Sequence, residues 1–323
     1  MAGPATGLRP AEPPFVAACG PTGAAAARVV ILGIPYDGAT SYRAGARAAP
    51  AAIRAASHSI ESYAPPFGAD LDDGSVFDAG DLAVPEDLTP DAFVPWATSA
   101  LSELDGHLPA APRLVLGGDH GAALPALLAA CARHPNLRIF HIDAHGDLRA
   151  SYDGTPYSHA CVMARVLEAL GPEGIVATWG IRSGPPEEFT RARTDRRILP
   201  LGTDPDAGPA LAARWAFGAA PVYVTFDLDG LDVGELPGTG TPEPGGLPLA
   251  AVERALCRLA RGRAPVVGAD LTELSPPLDP SGLSAVTAAR AARALLFALG
   301  AGTRPAGTRD GQADAPAPSS LRR

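Results

Sequence analysis

The chain has 323 residues, of which 46% are hydrophobic and 19% are charged, and its formal net charge is −9 at pH 7. This composition excludes a mostly disordered chain, and the length allows one large α/β domain or two smaller ones. The negative charge argues against a nucleic-acid surface, which needs clustered Lys and Arg, and the chain has no run of about 18 apolar residues that would predict a membrane span.

The two ends of the chain differ in composition from its middle. Residues 1–26 are rich in Ala, Pro and Gly and lack the basic start and apolar run of a signal peptide, so we predict a flexible leader. Residues 303–323 are a Pro/Ala-rich polar tail, for which we predict disorder. Residues 27–302 show one continuous pattern without an internal boundary or repeat, which predicts a single domain. The four cysteines are far apart without a CxxC pair, which favours buried free thiols in a reducing cytoplasm over a disulfide framework.

Short apolar strands alternate with Ala/Leu-rich helices along this domain. The predicted strands are Val29–Ile34, Arg113–Leu116, Leu137–Ile142, Gly174–Thr178, Pro221–Phe226 and Ala264–Ala269. The predicted helices are Pro50–Ala56, Asp91–Leu104, Ala122–Arg133, Ser158–Leu170, Leu247–Arg261 and Ser284–Leu299. Strands that are apolar throughout are typical of parallel sheets covered on both faces, so we predict an α/β fold with a doubly wound parallel sheet.

Acidic residues and histidines follow four of these strands. The segments are Gly117–His120, Asp143–Asp147, Asp227–Asp229 and Asp270–Glu273. Because ligands of such sheets bind at the carboxyl ends of the strands, we expect these side chains to meet at one edge.

The spacing inside these segments indicates a metal centre. In extended chain, alternate residues share one side, so Asp143, His145 and Asp147 face together, as do Asp227 and Asp229. Together with His120 they provide four carboxylates and two imidazoles, and four carboxylates without counter-charge would be costly to gather. Six such ligands suit two divalent cations about 3.5–4 Å apart, with Mn²⁺ favoured and Zn²⁺, Co²⁺ or Ni²⁺ also compatible. Taken singly, a strand-end Asp-x-Asp is usually a turn or helix cap, and a lone His is usually a hydrogen-bonded structural residue.

These segments resemble the signatures of the ureohydrolase (arginase/agmatinase) family. The matching motifs are GGDH, DAHGD and FDLDGLDVGELPGTGTPEPGG, supported by SHACVM and WGIRSG. The likeness extends from about Val29 to Ala301 and is strongest to agmatinases. It implies a three-layer sheet of the arginase/deacetylase type and a ureohydrolase catalytic domain over residues 27–302. It also implies a cytoplasmic binuclear manganese hydrolase that releases urea from a small guanidino substrate, as in polyamine biosynthesis.

The resemblance also implies residue roles. His120, Asp143, His145, Asp147, Asp227 and Asp229 match the ligands of two Mn²⁺ ions, with Asp143 and Asp227 bridging. Asp147 also matches a catalytic residue in proton transfer, His159 the proton shuttle, and Glu273 the carboxylate that pairs with the guanidinium. Read without the family, Glu273 fits a surface residue, and His159 fits a helix-start residue next to Ser158.

The sequence leaves the substrate open. Agmatine, cleaved to putrescine and urea, is the first expectation, and guanidinobutyrate, aminopropylagmatine and a specialised metabolite are alternatives. Arg149 meets an acidic substrate tail, or else it points to solvent or pairs with Asp153. Glu235 belongs to a loop that borders the site in the family, and Tyr42 and Arg43 are weak candidates for substrate contacts.

Other functions remain as rival readings. A metallophosphatase would need an Asn ligand motif that is missing here, and a deacetylase of the related fold would need a single Zn²⁺. A non-catalytic metal-binding paralogue would have lost a ligand or the proton relay. The family resemblance further implies a homo-oligomer, either a trimer or a hexamer.

Overall fold

A computed structural model describes residues 7–302, and the predicted tail over residues 303–323 lies outside the described part. The strands are β1 Leu8–Arg9, β2 Val29–Ile34, β3 Tyr63–Ala64, β4 Ala69–Asp70, β5 Val76–Leu82, β6 Arg113–Gly117, β7 Arg138–Ile142, β8 Ile175–Trp179, β9 Ile198–Gly202, β10 Val222–Asp227 and β11 Val266–Thr272. The helices are α1 Ala49–Ser57, α2 Pro90–Leu104, α3 Leu124–Arg133, α4 Val162–Ala169, α5 Pro186–Thr194, α6 Ala207–Ala216, α7 Leu249–Ala260 and α8 Leu283–Ala298.

Nine of these strands form one twisted sheet in the order β1-β5-β2-β6-β11-β10-β7-β8-β9. All neighbours pair in parallel except β1 and β5, which pair antiparallel at one edge. Strands β3 and β4 form a separate short antiparallel pair. The predicted doubly wound parallel sheet is therefore confirmed, with an antiparallel edge strand that the sequence did not indicate.

Helices cover both faces of the sheet and make it a three-layer structure. On one face, α1, α6, α7 and α8 pack over a core that includes Phe140, Trp179 and Phe226. On the other face, α2, α3 and α4 pack over a second core that includes Leu32, Val115 and Ile139. The central strands are buried on both sides, which is the physical reason for their continuous apolar sequences.

The prediction of a flexible leader is wrong for residues 7–26. Strand β1 pairs with β5, and Phe15 is only 1% exposed within the core. The backbone amide of Phe15 donates to Asp78 Oδ2 at 2.9 Å, and that of Val16 donates to Ser57 Oγ at 2.8 Å. Composition alone indicated a loose segment because Ala, Pro and Gly dominate it, whereas one buried aromatic ring and a few backbone bonds are enough to hold it in place. Residues 1–6 of the leader lie outside the described part.

Five strands (β1, β3, β4, β5 and β9) and two helices (α5 and α6) of the structure were not predicted. Strand β5 mixes Asp and Gly with apolar residues, and β9 is a partly exposed edge strand that contains Pro200. Helix α5 is short and rich in charged residues. Helix α6 contains Gly208 and Pro209 in its first turn, and no side chain caps its start. In the described range, no helix is long and apolar enough to cross a membrane.

Candidate active site

The four segments with acidic residues and histidines meet at one edge of the sheet. Strands β6, β11, β10 and β7 are consecutive neighbours in the sheet, and each segment follows the carboxyl end of one of them. The side chains that converge are His120 after β6, Glu273 after β11, Asp227 and Asp229 at and after β10, and Asp143, His145 and Asp147 after β7.

One group of ligand atoms surrounds the His120 imidazole. His120 Nδ1 lies 2.7 Å from Asp147 Oδ2, 3.3 Å from Asp143 Oδ2 and 3.7 Å from Asp227 Oδ2. The side chains of these four residues are at most 5% exposed. Three buried carboxylate oxygens and one imidazole nitrogen this close together could serve as the ligands of one cation.

A second group surrounds His145, whose side chain is 27% exposed. His145 Nδ1 lies 2.9 Å from Asp229 Oδ2 and 3.7 Å from Asp143 Oδ1. Asp143 therefore offers one carboxylate oxygen to each group, which is the geometry expected of a bridging ligand. Ligand atoms of His120, His141, Asp143 and Asp147, and separately those of Asp143, His145 and Asp229, lie within 4.8 Å of one another.

The charge balance of the site fits divalent cations. Burial, followed by the charges of Asp229 and Asp143, raises the pKa of Asp227 well above its ordinary value. Burial opposes protonation of His145, but the hydrogen bond and charge of Asp229 raise the pKa of His145 to about 10. Burial likewise opposes ionisation of Asp229, but the hydrogen bond from His145 lowers the pKa of Asp229 to about 2. Without cations, these buried carboxylates can be neutralised only by protons. Bound divalent cations would supply the positive charge instead.

The local backbone explains why the sequence places these side chains so closely. Gly118 passes so near the Tyr36 carbonyl that a β-carbon at position 118 would overlap it. Asp119 caps a 3₁₀ turn, because its Oδ1 accepts from the Ala122 amide at 3.2 Å. Its Oδ2 accepts from the Ala39 amide at 2.7 Å and so ties the turn to a second segment. Asp227 caps the turn that carries Asp229, accepting from the Asp229 amide at 2.9 Å.

Glu273 is buried at the floor of the site and is not a surface residue. Its Oε1 accepts from the His120 backbone amide at 2.8 Å, and its own amide donates to the Gly118 carbonyl at 2.8 Å. Burial raises the pKa of Glu273 to about 8, against the opposing effect of the bond from His120. A buried carboxylate of this kind is stabilised in its ionised form when a cation binds beside it.

His159 lies at the mouth of the site rather than within the ligand cluster. Its Nδ1 is 2.6 Å from the Ala39 carbonyl oxygen, which is an acceptor only, so Nδ1 must carry the proton and donate. In neutral His159 the Nε2 atom is then the basic nitrogen, and it lies 3.4 Å from Ser41 Oγ. The Tyr152 ring packs edge-on against the imidazole at 5.9 Å.

A cavity of about 210 Å³ opens over these residues. Its wall includes Arg149, Tyr152, Ser183 and Glu188 in addition to the groups already described. Arg149 lies over the Tyr152 ring at 4.8 Å, and its Nε is 3.8 Å from Glu188 Oε1. Arg149 therefore pairs with Glu188, not with Asp153 as one reading of the sequence held. Burial, followed by the charge of Asp147, raises the pKa of Glu188 to about 7.

Sequence reasoning missed several residues of the site, among them His141 and Glu188. His141 Nε2 lies 2.8 Å from Asp143 Oδ2, and its position two residues before Asp143 in β7 was a usable signal because alternate strand residues share a face. Glu188 reaches the site from α5, whose proline start, acidic first turn and basic last turn were usable signals for a helix, although no local pattern places Glu188 beside the site.

Three other candidates lie elsewhere. Glu235 Oε2 accepts from the Leu249 amide at the start of α7. Tyr42 is 75% exposed, and Arg43 donates to the Thr239 and Gly240 carbonyls. Neither Glu235, Tyr42 nor Arg43 lines the cavity.

Comparison with known proteins agrees with this geometry. The model of the arginase family matches residues 27–298. Agmatinase of Bacillus cereus is 37% identical over 276 residues, covering 84% of this chain and 91% of that protein. N(1)-aminopropylagmatine ureohydrolase of Thermococcus kodakarensis is 36% identical over 275 residues, covering 85% and 91% of the two chains. The crystal structure of agmatine ureohydrolase of Thermoplasma volcanium superposes with a TM-score of 0.74 at 31% identity, covering 88% of this chain and 94% of that one.

The α/β sheet, with its cluster of His and Asp side chains at one edge, defines an arginase-fold hydrolase. The chain belongs to the arginase family.

Proposed function

We propose that the protein is a metal-dependent amidinohydrolase that releases urea from a linear guanidino compound, with agmatine as the leading substrate. The observation that carries this proposal is the juxtaposition of two His/Asp ligand groups that share Asp143 with a buried carboxylate, Glu273, beside them. Family membership and the named activities of the relatives support the same reaction.

The proposed metal ligands are His120, Asp143, His145, Asp147, Asp227 and Asp229. Two divalent cations bound by them, Mn²⁺ by preference, would lower the pKa of a water molecule toward neutrality and polarise the guanidino group. The mixed nitrogen and oxygen donor set, with a carboxylate shared between two groups, supports a pair of ions over a single Zn²⁺.

The protein side chains then position the substrate and move protons. Glu273 binds the guanidinium, whose forked N–H groups match a carboxylate. Water adds to the guanidino carbon, and Asp147 transfers the proton released by that water to the departing nitrogen as the carbon–nitrogen bond breaks. Urea and a primary amine leave. His159, whose Nε2 is the accepting nitrogen, exchanges protons between the cavity and solvent.

The charge of the cavity supports a cationic substrate over a guanidino acid. Arg149 is the arginine in the cavity wall, and Glu188 lies beside it at 3.8 Å. In its ionised form Glu188 offsets this positive charge, so an acidic substrate tail would have to compete with that carboxylate for Arg149. A guanidino acid such as guanidinobutyrate is the second candidate, and the contact of Arg149 with the cavity is the observation that favours it.

A urea-release panel tests the proposed function. Protein stripped of metal and protein reloaded with Mn²⁺ would each be given agmatine, N(1)-aminopropylagmatine, guanidinobutyrate and arginine. We expect urea only from the reloaded protein, with the highest kcat/KM for a substrate with a cationic tail. A preference for guanidinobutyrate would select the second candidate, and no urea from any of these compounds would contradict the function.

The trimer or hexamer remains a prediction, which sedimentation equilibrium would check as three or six times the 32.8 kDa chain mass.

A further inference from the structure

Arg182 is outside the predicted ligand set, yet its guanidinium spans the turn that carries Asp229. It follows β8, and its Nη2 donates to the Asp229 carbonyl at 2.7 Å. Longer bonds of 3.3 Å run from Nη1 to the Gly230 carbonyl and from Nη2 to the Leu231 carbonyl. One side chain therefore contacts three consecutive carbonyls directly after β10.

The same guanidinium connects this turn to two neighbouring segments. Nη1 donates to the Gly180 carbonyl at 2.9 Å, and Gly180 directly follows β8. The Glu243 carbonyl accepts from Nη2 at 2.6 Å and from Nε at 3.2 Å. Glu243 follows Thr241, whose hydroxyl donates to Asp229 Oδ2 at 3.1 Å. Arg182 thus supports Asp229 in two ways. It bonds to the backbone of Asp229, and it bonds to the segment whose Thr241 contacts the Asp229 side chain.

The main chain of Arg182 reaches the other ligand loop. Its amide donates to the Ala144 carbonyl at 2.9 Å, and the Ser183 amide donates to the same oxygen at 3.1 Å. Ala144 stands between Asp143 and His145, and its own amide donates to Asp229 Oδ1 at 3.0 Å. Residue 182 is therefore bonded to both loops that form the His145–Asp229 ligand group.

We propose that Arg182 is a positioning residue that sets the separation between the Asp143–Asp147 loop and the Asp227–Asp229 turn, and so the geometry of the metal group around His145 and Asp229. This inference rests on the proposed function, since it assumes that these residues bind a cation. Arginine is required because its planar group offers five N–H donors in a fixed fork, whereas lysine has three donors on one nitrogen and cannot reach carbonyls on three segments.

The contacts predict an effect on one half of the centre. Arg182 bonds to the loops that carry His145 and Asp229, whereas His120 is held by contacts from Glu273 and Thr225. Loss of the guanidinium fork should weaken the cation of the His145 group and leave the cation of the His120 group closer to normal. Residues that orient metal ligands typically affect metal affinity by about 10- to 100-fold.

Calorimetric titration of metal-free protein with Mn²⁺ tests the proposal directly. We expect two binding events in the wild-type protein, and in Arg182→Lys one of them about 10-fold weaker or more. Arg182→Gln, which keeps an amide donor, should show the same selective loss. Arg197→Lys is the matched control, because Arg197 is also partly buried and donates to a backbone carbonyl, that of Leu167, away from the cavity. It should bind both ions normally.

Thermal melting separates positioning from a general structural role. If Arg182 positions ligands, the metal-free variants should melt near metal-free wild-type protein, while the Mn²⁺-induced rise in Tm should be smaller. Two unchanged binding events in Arg182→Lys and Arg182→Gln would overturn the proposal. Collapse of both variants without metal would also overturn it, since the role would then be fold stability.

The binding readout keeps this inference separate from the proposed function. Wild-type protein that binds two Mn²⁺ ions but releases no urea would contradict the proposed reaction, while the affinity of Arg182→Lys would still decide the positioning role. Wild-type protein that binds no Mn²⁺ would overturn the positioning role itself.

Discussion

Asp147 and Glu273 share a backbone conformation that L-residues adopt at a cost. Their φ angles are +52° and +65°, in the left-handed region that favours glycine. Such residues cost on the order of 1 kcal/mol or more and persist where the surrounding structure imposes them, commonly at functional sites. Both carboxylates belong to the proposed catalytic set, so the strain coincides with the chemistry.

The role of Asp147 is tested by Asp147→Asn. Asparagine tolerates the same backbone angle but cannot accept and transfer the proton, so we expect kcat to fall by at least about 100-fold with the fold intact. Urea release under saturating agmatine measures this. The matched control is Asp153→Asn, because Asp153 also has a left-handed φ of +50° but is exposed and lies outside the cavity. Full turnover by Asp147→Asn would refute the proton-transfer role.

Glu273→Gln tests the guanidinium contact. Glutamine keeps an oxygen for the His120 amide but loses the negative charge that pairs with the substrate, so we expect kcat/KM for agmatine to fall by roughly 10- to 1000-fold. Steady-state kinetics and circular dichroism on the same preparation measure catalysis and folding. An unchanged kcat/KM would place the substrate cation elsewhere in the cavity.

At the scale of elements, the amino-terminal segment is held to the sheet by one aromatic anchor. Phe15 is buried among core residues, and its backbone contacts Asp78. Asp78 is in turn bonded to the guanidinium of Arg54, which is 1% exposed and also contacts Asp81. The segment therefore covers an ion-pair network near the edge of the sheet, and none of these residues lines the cavity.

Phe15→Ala should lower the free energy of unfolding by about 3–5 kcal/mol, because it leaves a cavity in the core. Urea denaturation followed by circular dichroism measures the change. Phe217→Ala is the control, since the Phe217 side chain is 80% exposed and its loss should change stability by no more than about 0.5 kcal/mol. Equal stability of the Phe15 variant and wild-type protein would mean that the segment does not contribute to the core.

At the scale of the whole molecule, the proposed metal centre draws on four neighbouring strands from the middle of the sheet. The ligand loops follow β6, β7 and β10, and Glu273 follows β11, so cations bound there would cross-link the centre of the fold. Binding to the folded state alone stabilises a protein by mass action, by about 2.7 kcal/mol at a free-ion concentration 100 times Kd.

Removal of metal should therefore abolish urea release and lower the Tm by several degrees, and reloading with Mn²⁺ should restore both. Differential scanning calorimetry with and without a chelator measures the shift. His120→Ala removes a proposed ligand, so its Tm should respond less to the chelator than that of wild-type protein. If the chelator leaves the Tm of both proteins unchanged, bound metal does not contribute to the stability of the fold.

Sequence patterns predicted the central strands and the residues at their ends. Strand β2 has the predicted bounds, and β6, β7, β8 and β10 differ from the prediction by a residue at one or both ends. These strands are buried on both faces, so most of their positions are apolar and the pattern is strong. Peripheral elements such as β9 and α5 are partly exposed, so their sequences show little of the apolar pattern that marks a buried element.

What the sequence determined by itself is the alternation of strands and helices, the family resemblance, and the candidate ligands at the strand ends. Those follow from local composition and from short-range spacing, because residues two apart in a strand must share a face. Only the tertiary structure decided which strand ends become neighbours and that Asp143 lies between two groups of candidate ligands. It also decided that Phe15 enters the core, that Arg182 bonds to the turn after β10, and that Glu188 lines the cavity. Those contacts join residues far apart in the chain, and their distances depend on how the sheet and its loops pack rather than on any local pattern.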